Sequence, residues 1–246
     1  MNFKSTLFFL GIVFLIVSIL SILNVLYSIY FDFAIGLNSY LVVFLVSIIL
    51  GSFFCFIGRN NKKDISLIDQ IFFIFLSFTL IPLLISIPFS LSIYNINFLD
   101  AYFESVSGFT TTGFSIIENV ELIDEPLLLW RSTSQWLGGL IFLIATIGTI
   151  GSKQIRIKPA YLISGGASGR NFYNNFNYNF IKILLIYSFS TLFILFLYNF
   201  SDIRLLDSFH LAMTVISSGG FIPTDDLSNI INSNLQIFIL SISLFF

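Results

Sequence analysis

Long uncharged apolar stretches alternate with short polar segments along this chain. A helix that crosses the hydrocarbon core of a bilayer needs about 20 apolar residues. Residues 5–31 and 33–58 each meet that requirement without a charge. Residues 70–99 are also charge-free but contain Pro82 and Pro88, so the pattern predicts a helix over 67–87 and a proline-bounded exit into a loop. A fourth span follows Arg131 over residues 132–152, and a fifth lies between Lys182 and Asp202. A sixth begins near Ile231 and looks cut short at Phe246. Lys4 ahead of the first run imitates a secretory signal, but the run exceeds an h-region of about 7 to 15 residues and no small-residue cleavage site follows. It reads as the first transmembrane helix.

Composition agrees with this pattern. Hydrophobic residues make up 57% of the 246 and charged residues 10%, with 32 Phe and 10 Tyr. Soluble proteins carry about 25% charged residues, so the fold expected is an all-α polytopic membrane protein. A net charge of −2 excludes nucleic-acid binding, which needs a concentrated basic face. One cysteine, Cys55, excludes a disulfide framework or a cysteine metal cluster.

Basic residues accumulate in cytoplasmic loops. Lys4, the cluster Arg59/Lys62/Lys63 and the cluster Lys153/Arg156/Lys158/Arg170 fall at the N-terminus and in alternate loops, so these are expected inside. Between Asp64 and Trp130 there is no Lys or Arg, and Arg204 is the single basic residue of an outer loop. The expected topology is multi-pass with a cytoplasmic N-terminus.

The outer segment after the third span contains one half of an internal repeat. Asp100-Ala-Tyr-Phe-Glu-Ser-Val-Ser-Gly-Phe-Thr-Thr-Thr-Gly-Phe114 aligns without gaps on Asp207-Ser-Phe-His-Leu-Ala-Met-Thr-Val-Ile-Ser-Ser-Gly-Gly-Phe221, an offset of 107 (207 against 100). Each copy lies between two spans and reads as a short re-entrant helix followed by a Gly/Thr/Ser loop. Non-helical backbone is tolerated at membrane depth only where protein buries it or where it lines an aqueous path. Such a loop can present successive carbonyls, and threonine hydroxyls, to a dehydrated cation. Gly113 and Gly220 are expected to supply the φ freedom that turns the carbonyls to one axis.

These residues resemble a known family. Phe103-Glu104-Ser105-Val106-Ser107-Gly108-Phe109-Thr110-Thr111-Thr112-Gly113 and Leu129-Trp130-Arg131-Ser132-Thr133-Ser134-Gln135-Trp136-Leu137-Gly138-Gly139 are similar to the first repeat of the Trk/Ktr/HKT superfamily of potassium transporters, in particular its TrkH-type bacterial branch. The resemblance implies four helix–pore loop–helix repeats around one ion path, with two extra helices in front. Two of the expected four repeats are present. The implied divisions are 1–60 for the leading helices, 61–152 for the first repeat, 153–177 for a cytoplasmic linker and 178–246 for a second repeat truncated in its last helix. Backbone carbonyls of Thr111, Thr112 and Gly113 are implied to form one quarter of a potassium filter, and those of Ser218, Gly219 and Gly220 a second quarter. The adjacent glycines of the second copy depart from the family pattern. Potassium is then the transported ion, with no organic cofactor. The implied setting is the bacterial inner membrane, as a homodimer bound by a cytoplasmic nucleotide-binding regulatory subunit.

Other residues have plainer roles in view. Glu118, Glu121, Asp124, Glu125, Asp225 and Asp226 follow the two loops and either raise the local cation concentration or simply solvate a loop. Asp100 is expected to cap the first pore helix, and Arg131 to snorkel or to pair with an outer carboxylate. Gly138-Gly139 suits close helix approach, while His210 and Cys55 suit packing. Gly165–Gly169 lacks the strand before it and the Lys-Ser/Thr after it that a phosphate loop requires. Two other functions compete with potassium uptake: a non-conducting fragment or membrane scaffold, and an intramembrane enzyme. The enzyme lacks any nucleophile–base or paired-acid set within the spans, so no enzymatic activity is expected.

Overall fold

The computed structural model describes residues 3–33, 36–59, 67–92, 94, 96–150 and 172–245. Lys62, Lys63, Lys153, Arg156, Lys158 and Arg170, expected on the inner side, and the Gly165–Gly169 run lie outside the described residues. Eight α-helices follow in order among those described: α1 (Phe3–Tyr30), α2 (Leu37–Gly58), α3 (Leu67–Ser90), α4 (Phe98–Phe109), α5 (Glu125–Ile150), α6 (Phe172–Phe200), α7 (Leu205–Ile216) and α8 (Asn234–Ser243). Five of them, α1, α2, α3, α5 and α6, are long and apolar enough to cross a membrane. The protein is thus an all-α, multi-pass membrane protein.

α1 and α2 form an antiparallel hairpin turned at Gly36, whose φ of +86° admits glycine at no steric cost. Small residues let their backbones meet. A Cβ at Gly11 would lie 2.8 Å from the Gly51 carbonyl oxygen, and one at Gly58 would lie 2.6 Å from that of Lys4. Cys55 fills the same seam, its Sγ 3.7 Å from the Phe8 carbonyl oxygen, as a packing residue would.

Three helix bounds differ from the pattern-based expectation, one of them the start of α6, which begins at Phe172 and runs through Lys182. α3 does not stop at Ile87 but continues through both prolines to Ser90. Carbonyls near the proline positions find outside donors: the Tyr102 hydroxyl donates to Thr79 O at 3.3 Å and the Trp130 indole to Ile85 O at 3.0 Å. Neighbouring helices satisfy backbone groups in this way when proline interrupts a membrane helix. α5 begins at Glu125, not after Arg131, because Arg131 is neutralised inside the protein and so fails to mark a membrane boundary. α8 starts at Asn234 under a capping box in which Ser233 Oγ accepts from Gln236 N and Gln236 Oε1 accepts from Ser233 N.

The short helix α4 ends against the middle of α3. Phe109, the last residue of α4, stacks edge-on against Phe78 in the middle of α3, with ring centroids 5.1 Å apart. The chain then returns to the end of α1, where the Tyr27 hydroxyl donates to Glu125 at 2.8 Å.

Candidate ion path at the two pore loops

The sequence repeat is reproduced element by element. α4 and α7 have equal length and stand at the same offset as the aligned sequences, and so do the 3-10 turns Val120–Leu122 and Leu227–Asn229. The hydrogen bonds that end each helix and shape each loop also correspond. Thr111 N donates to Gly108 O (2.9 Å) and Thr112 N to Ser107 O (2.9 Å); in the second copy Ser218 N donates to Val215 O (3.0 Å) and Gly219 N to Thr214 O (2.8 Å). The Ser107 hydroxyl donates to Phe114 O and the Thr214 hydroxyl to Phe221 O, closing each loop across seven residues. Thr111 and Ser218 both adopt left-handed backbone, with φ of +56° and +54°.

The glycines divide the labour differently from expectation. Gly113 has φ +80°, so it uses the conformational freedom of glycine. Gly220 does not lie in that region; its small size matters instead, because the loops touch there. A Cβ at Gly113 would stand 2.6 Å from Gly220 Cα. Gly219 makes room for Gln135 of α5, since a Cβ there would overlap the Gln135 amide carbon at 2.0 Å. The second glycine is therefore accounted for by packing.

The two candidate triplets touch through Gly113 and Gly220. Among the described residues, no hydrogen bond is accepted by the carbonyls of Thr111, Thr112, Gly113, Ser218, Gly219 or Gly220. The threonine hydroxyls are engaged locally: Thr110 Oγ1 and Thr112 Oγ1 lie 2.7 Å apart. Each triplet also follows the C-terminus of a short helix, where the helix dipole leaves partial negative charge and no basic side chain occupies the last turn. Free carbonyl oxygens beside two helix C-termini are suited to a cation and unsuited to an anion.

α5 supports both loops. Gly138 lies against the end of α4, where a Cβ would come within 1.8 Å of Phe109 O, and Gly139 lies against Ser217 at the end of α7. The close-approach role expected of this pair holds. The polar run from Arg131 to Gln135 is buried throughout. Arg131 Nε donates to Glu104 of α4 at 2.9 Å, so it pairs with a buried carboxylate of the pore helix rather than an outer one. His210 of α7 is buried, its Nδ1 2.7 Å from the Ser132 hydroxyl, as a packing residue would be.

Asp100 does not cap α4. Asn97 does: its side-chain oxygen accepts from Asp100 N at 3.0 Å, and Asp100 sits in the first turn. The acidic residues that follow the two loops are largely occupied by structural bonds. Asp225 accepts from Val120 N at 2.6 Å and Glu121 from the Asn229 amide at 2.9 Å, joining the two outer turns. Asp124 accepts from the Tyr94 hydroxyl, and burial pushes its carboxyl above the ordinary range against that hydrogen bond. Sequence reasoning did not find Glu104, Ser115, Phe221 and Gln135 as partners of the loops. The available signal was a polar run opening a membrane helix, which demands polar partners.

Five candidate spans, two short helices of equal length and two matching loops define an all-α polytopic membrane protein with an internal repeat. The comparisons with known proteins agree with that class. The chain is 28% identical over 251 residues to an uncharacterized cation transporter of Methanocaldococcus jannaschii, covering 94% of this chain and 49% of that protein. It is 25% identical over 151 residues to the Trk system potassium uptake protein TrkH of Vibrio parahaemolyticus, covering 61% and 31%. A segment of 75 residues is 37% identical to the potassium uptake protein TrkI of Halomonas elongata. The crystal structure of the potassium transporter TrkH from Vibrio parahaemolyticus has the same fold, with a TM-score of 0.79 and 20% identity over 99% of this chain and 49% of that one. No family model matches the chain. It spans about half the length of the cation transporter and of the TrkH structure that it matches. In sequence and fold together this chain is a relative of the Trk-type potassium transporters, and these relatives are named as transporters, not enzymes.

Proposed function

We propose that this chain forms two quarters of a potassium uptake path, with the carbonyls of Thr111, Thr112, Gly113, Ser218, Gly219 and Gly220 replacing the water of a dehydrated cation. The carrying observation is that these six carbonyls accept no hydrogen bond among the described residues, at the place where the two loops meet. The names of the TrkH relatives support potassium as the ion. In this reading residues 1–60 precede the pore units, 61–152 and 178–246 are two of four units, and 153–177 connect them on the cytoplasmic side. The protein sits in the plasma membrane with its N-terminus inside, functions as a dimer and meets a nucleotide-binding regulatory subunit there; co-purification in mild detergent tests the last point.

Growth of a potassium-uptake-deficient bacterium at low external potassium tests the function. The full-length protein restores growth, and Gly113→Asp abolishes it at equal membrane content. Inserted protein that gives no growth, with no effect of Gly113→Asp on flux, contradicts the proposal and supports a non-conducting scaffold.

A further inference from the structure

Arg131 is the one buried guanidinium among the described residues, and its contacts reach both loops. Nε donates to Glu104 of α4 at 2.9 Å, and Nη2 donates to Ser115 Oγ at 3.1 Å, on the limb leaving the first loop. Nη1 reaches the Ile222 carbonyl at 3.5 Å, and Cζ stands 4.0 Å above the Phe221 ring, both on the limb leaving the second loop. Glu104 extends the same network by accepting from Ser115 Oγ at 3.0 Å and from Ile116 N at 3.1 Å. Phe221 in turn lies against Gly108, where a Cβ would come within 2.8 Å of its ring. The residues gripped, Ser115 and Ile116 on one side and Phe221 and Ile222 on the other, follow the two carbonyl triplets almost directly.

We propose that Arg131, acting through Glu104, Ser115 and Phe221, is a positioning residue that sets the spacing of the two carbonyl triplets and thereby the discrimination between potassium and smaller cations. This rests on the transport reading above. A buried charge in a membrane protein is costly, and retention of a fully paired one is explained by geometry that neutral residues do not supply. A guanidinium offers donors in several directions within one plane and a face for an aromatic ring, so one side chain can hold two loops at once; an ammonium cannot. Pairing with Glu104 cancels the positive charge that would otherwise raise the barrier to a cation. Among the described residues the second copy has no such grip, because the positions equivalent to Glu104 and Ser115 are Leu211 and Ile222.

The test measures rubidium-traced potassium uptake by the full-length protein in a potassium-uptake-deficient bacterium, with sodium as competitor, normalised to inserted protein. Arg131→Gln raises the apparent KM for potassium by about tenfold and lowers discrimination against sodium by about the same factor, the scale of one lost charge-assisted hydrogen bond. Arg131→Lys keeps the ion pair and membrane content but does not restore discrimination. If Arg131→Gln fails to insert, Glu104→Gln/Arg131→Gln, which removes both charges, and Phe221→Leu, which leaves the ion pair intact, carry the test; both are expected to insert and to discriminate poorly. Any of these variants inserted in normal amount with unchanged KM and discrimination overturns the positioning role. A wild-type protein without potassium flux overturns the transport reading instead, and the role of Arg131 with it.

Discussion

The two pore units share most of their backbone plan and differ in what holds it. Their short helices, their 3-10 turns and the hydrogen bonds of Thr111/Ser218 and Thr112/Gly219 correspond position by position. Yet the first loop is tied by a buried ion pair, Glu104 with Arg131, while the second has Leu211 in place of that carboxylate. The phenylalanines that end the loops diverge as well: Phe114 is 71% exposed and Phe221 is 2% exposed. Phe221 is buried because Arg131 and Gly108 of the first unit cover it. Gln135 and Gly139, which shape the second loop, also belong to α5 of the first unit. The second loop therefore repeats the main hydrogen bonds of the first, while its supports come from the first unit and differ from those that hold the first loop.

The largest expected effect comes from the helix that serves both units. Gly138→Ala places a methyl group into the backbone of Phe109, which cannot yield as a side chain would, and is expected to cost more than about 3 kcal/mol or to prevent insertion. Thermal melting in detergent and membrane content measure it. Next, the filter glycines are expected to respond unequally. Gly113→Ala combines a left-handed φ with a contact at 2.6 Å, whereas a Cβ at Gly220 would stand 3.2 Å from Gly113 Cα without φ strain. Potassium uptake is expected to fall about tenfold further for Gly113→Ala than for Gly220→Ala; equal losses would break the distinction drawn between the loops.

Smaller effects sharpen the same comparison at the outer ends. Asn97 caps α4 with its side chain, while Arg204 at the matching position of α7 makes no side-chain cap and pairs with Asp207 across an exposed surface. Asn97→Ala is expected to cost about 1 kcal/mol and Arg204→Ala less than about 0.5 kcal/mol, measured as shifts in melting temperature. Smallest is a pH effect confined to the second unit. Asp226 accepts hydrogen bonds from Ser228, which hold its carboxyl below the ordinary value of 3.8, whereas Asn119 at the matching position makes no side-chain cap. A depressed acid stabilises the fold when ionised, so the contribution is present above pH 3.8 and is lost as pH falls through the lower folded-state value. Asp226→Asn should remove that dependence in an acid melting series.

Much of the fold was readable from the charge-free intervals, because in a membrane apolar length decides where helices run. The errors fell where tertiary partners intervene. Pro82 and Pro88 did not end α3, since Tyr102 and Trp130 donate to nearby carbonyls. Arg131 did not start α5, since Glu104 neutralises it. At the loops, the repeat revealed the residues and their correspondence but not their supports. An alignment of the two copies reports what they share, and Glu104 and Ser115 stand where the second copy has Leu211 and Ile222. The role of Gly219 was hidden for the same reason: the side chain that requires it, Gln135, lies in another unit.

The central claim is that the two carbonyl triplets form part of a potassium path, and the most direct measurement is rubidium uptake by cells making the full-length protein, competed by potassium or sodium. The account predicts uptake that potassium suppresses far better than sodium and that Gly113→Asp abolishes at equal membrane content. Uptake at the level of cells lacking the protein, or uptake that Gly113→Asp leaves unchanged, would contradict it.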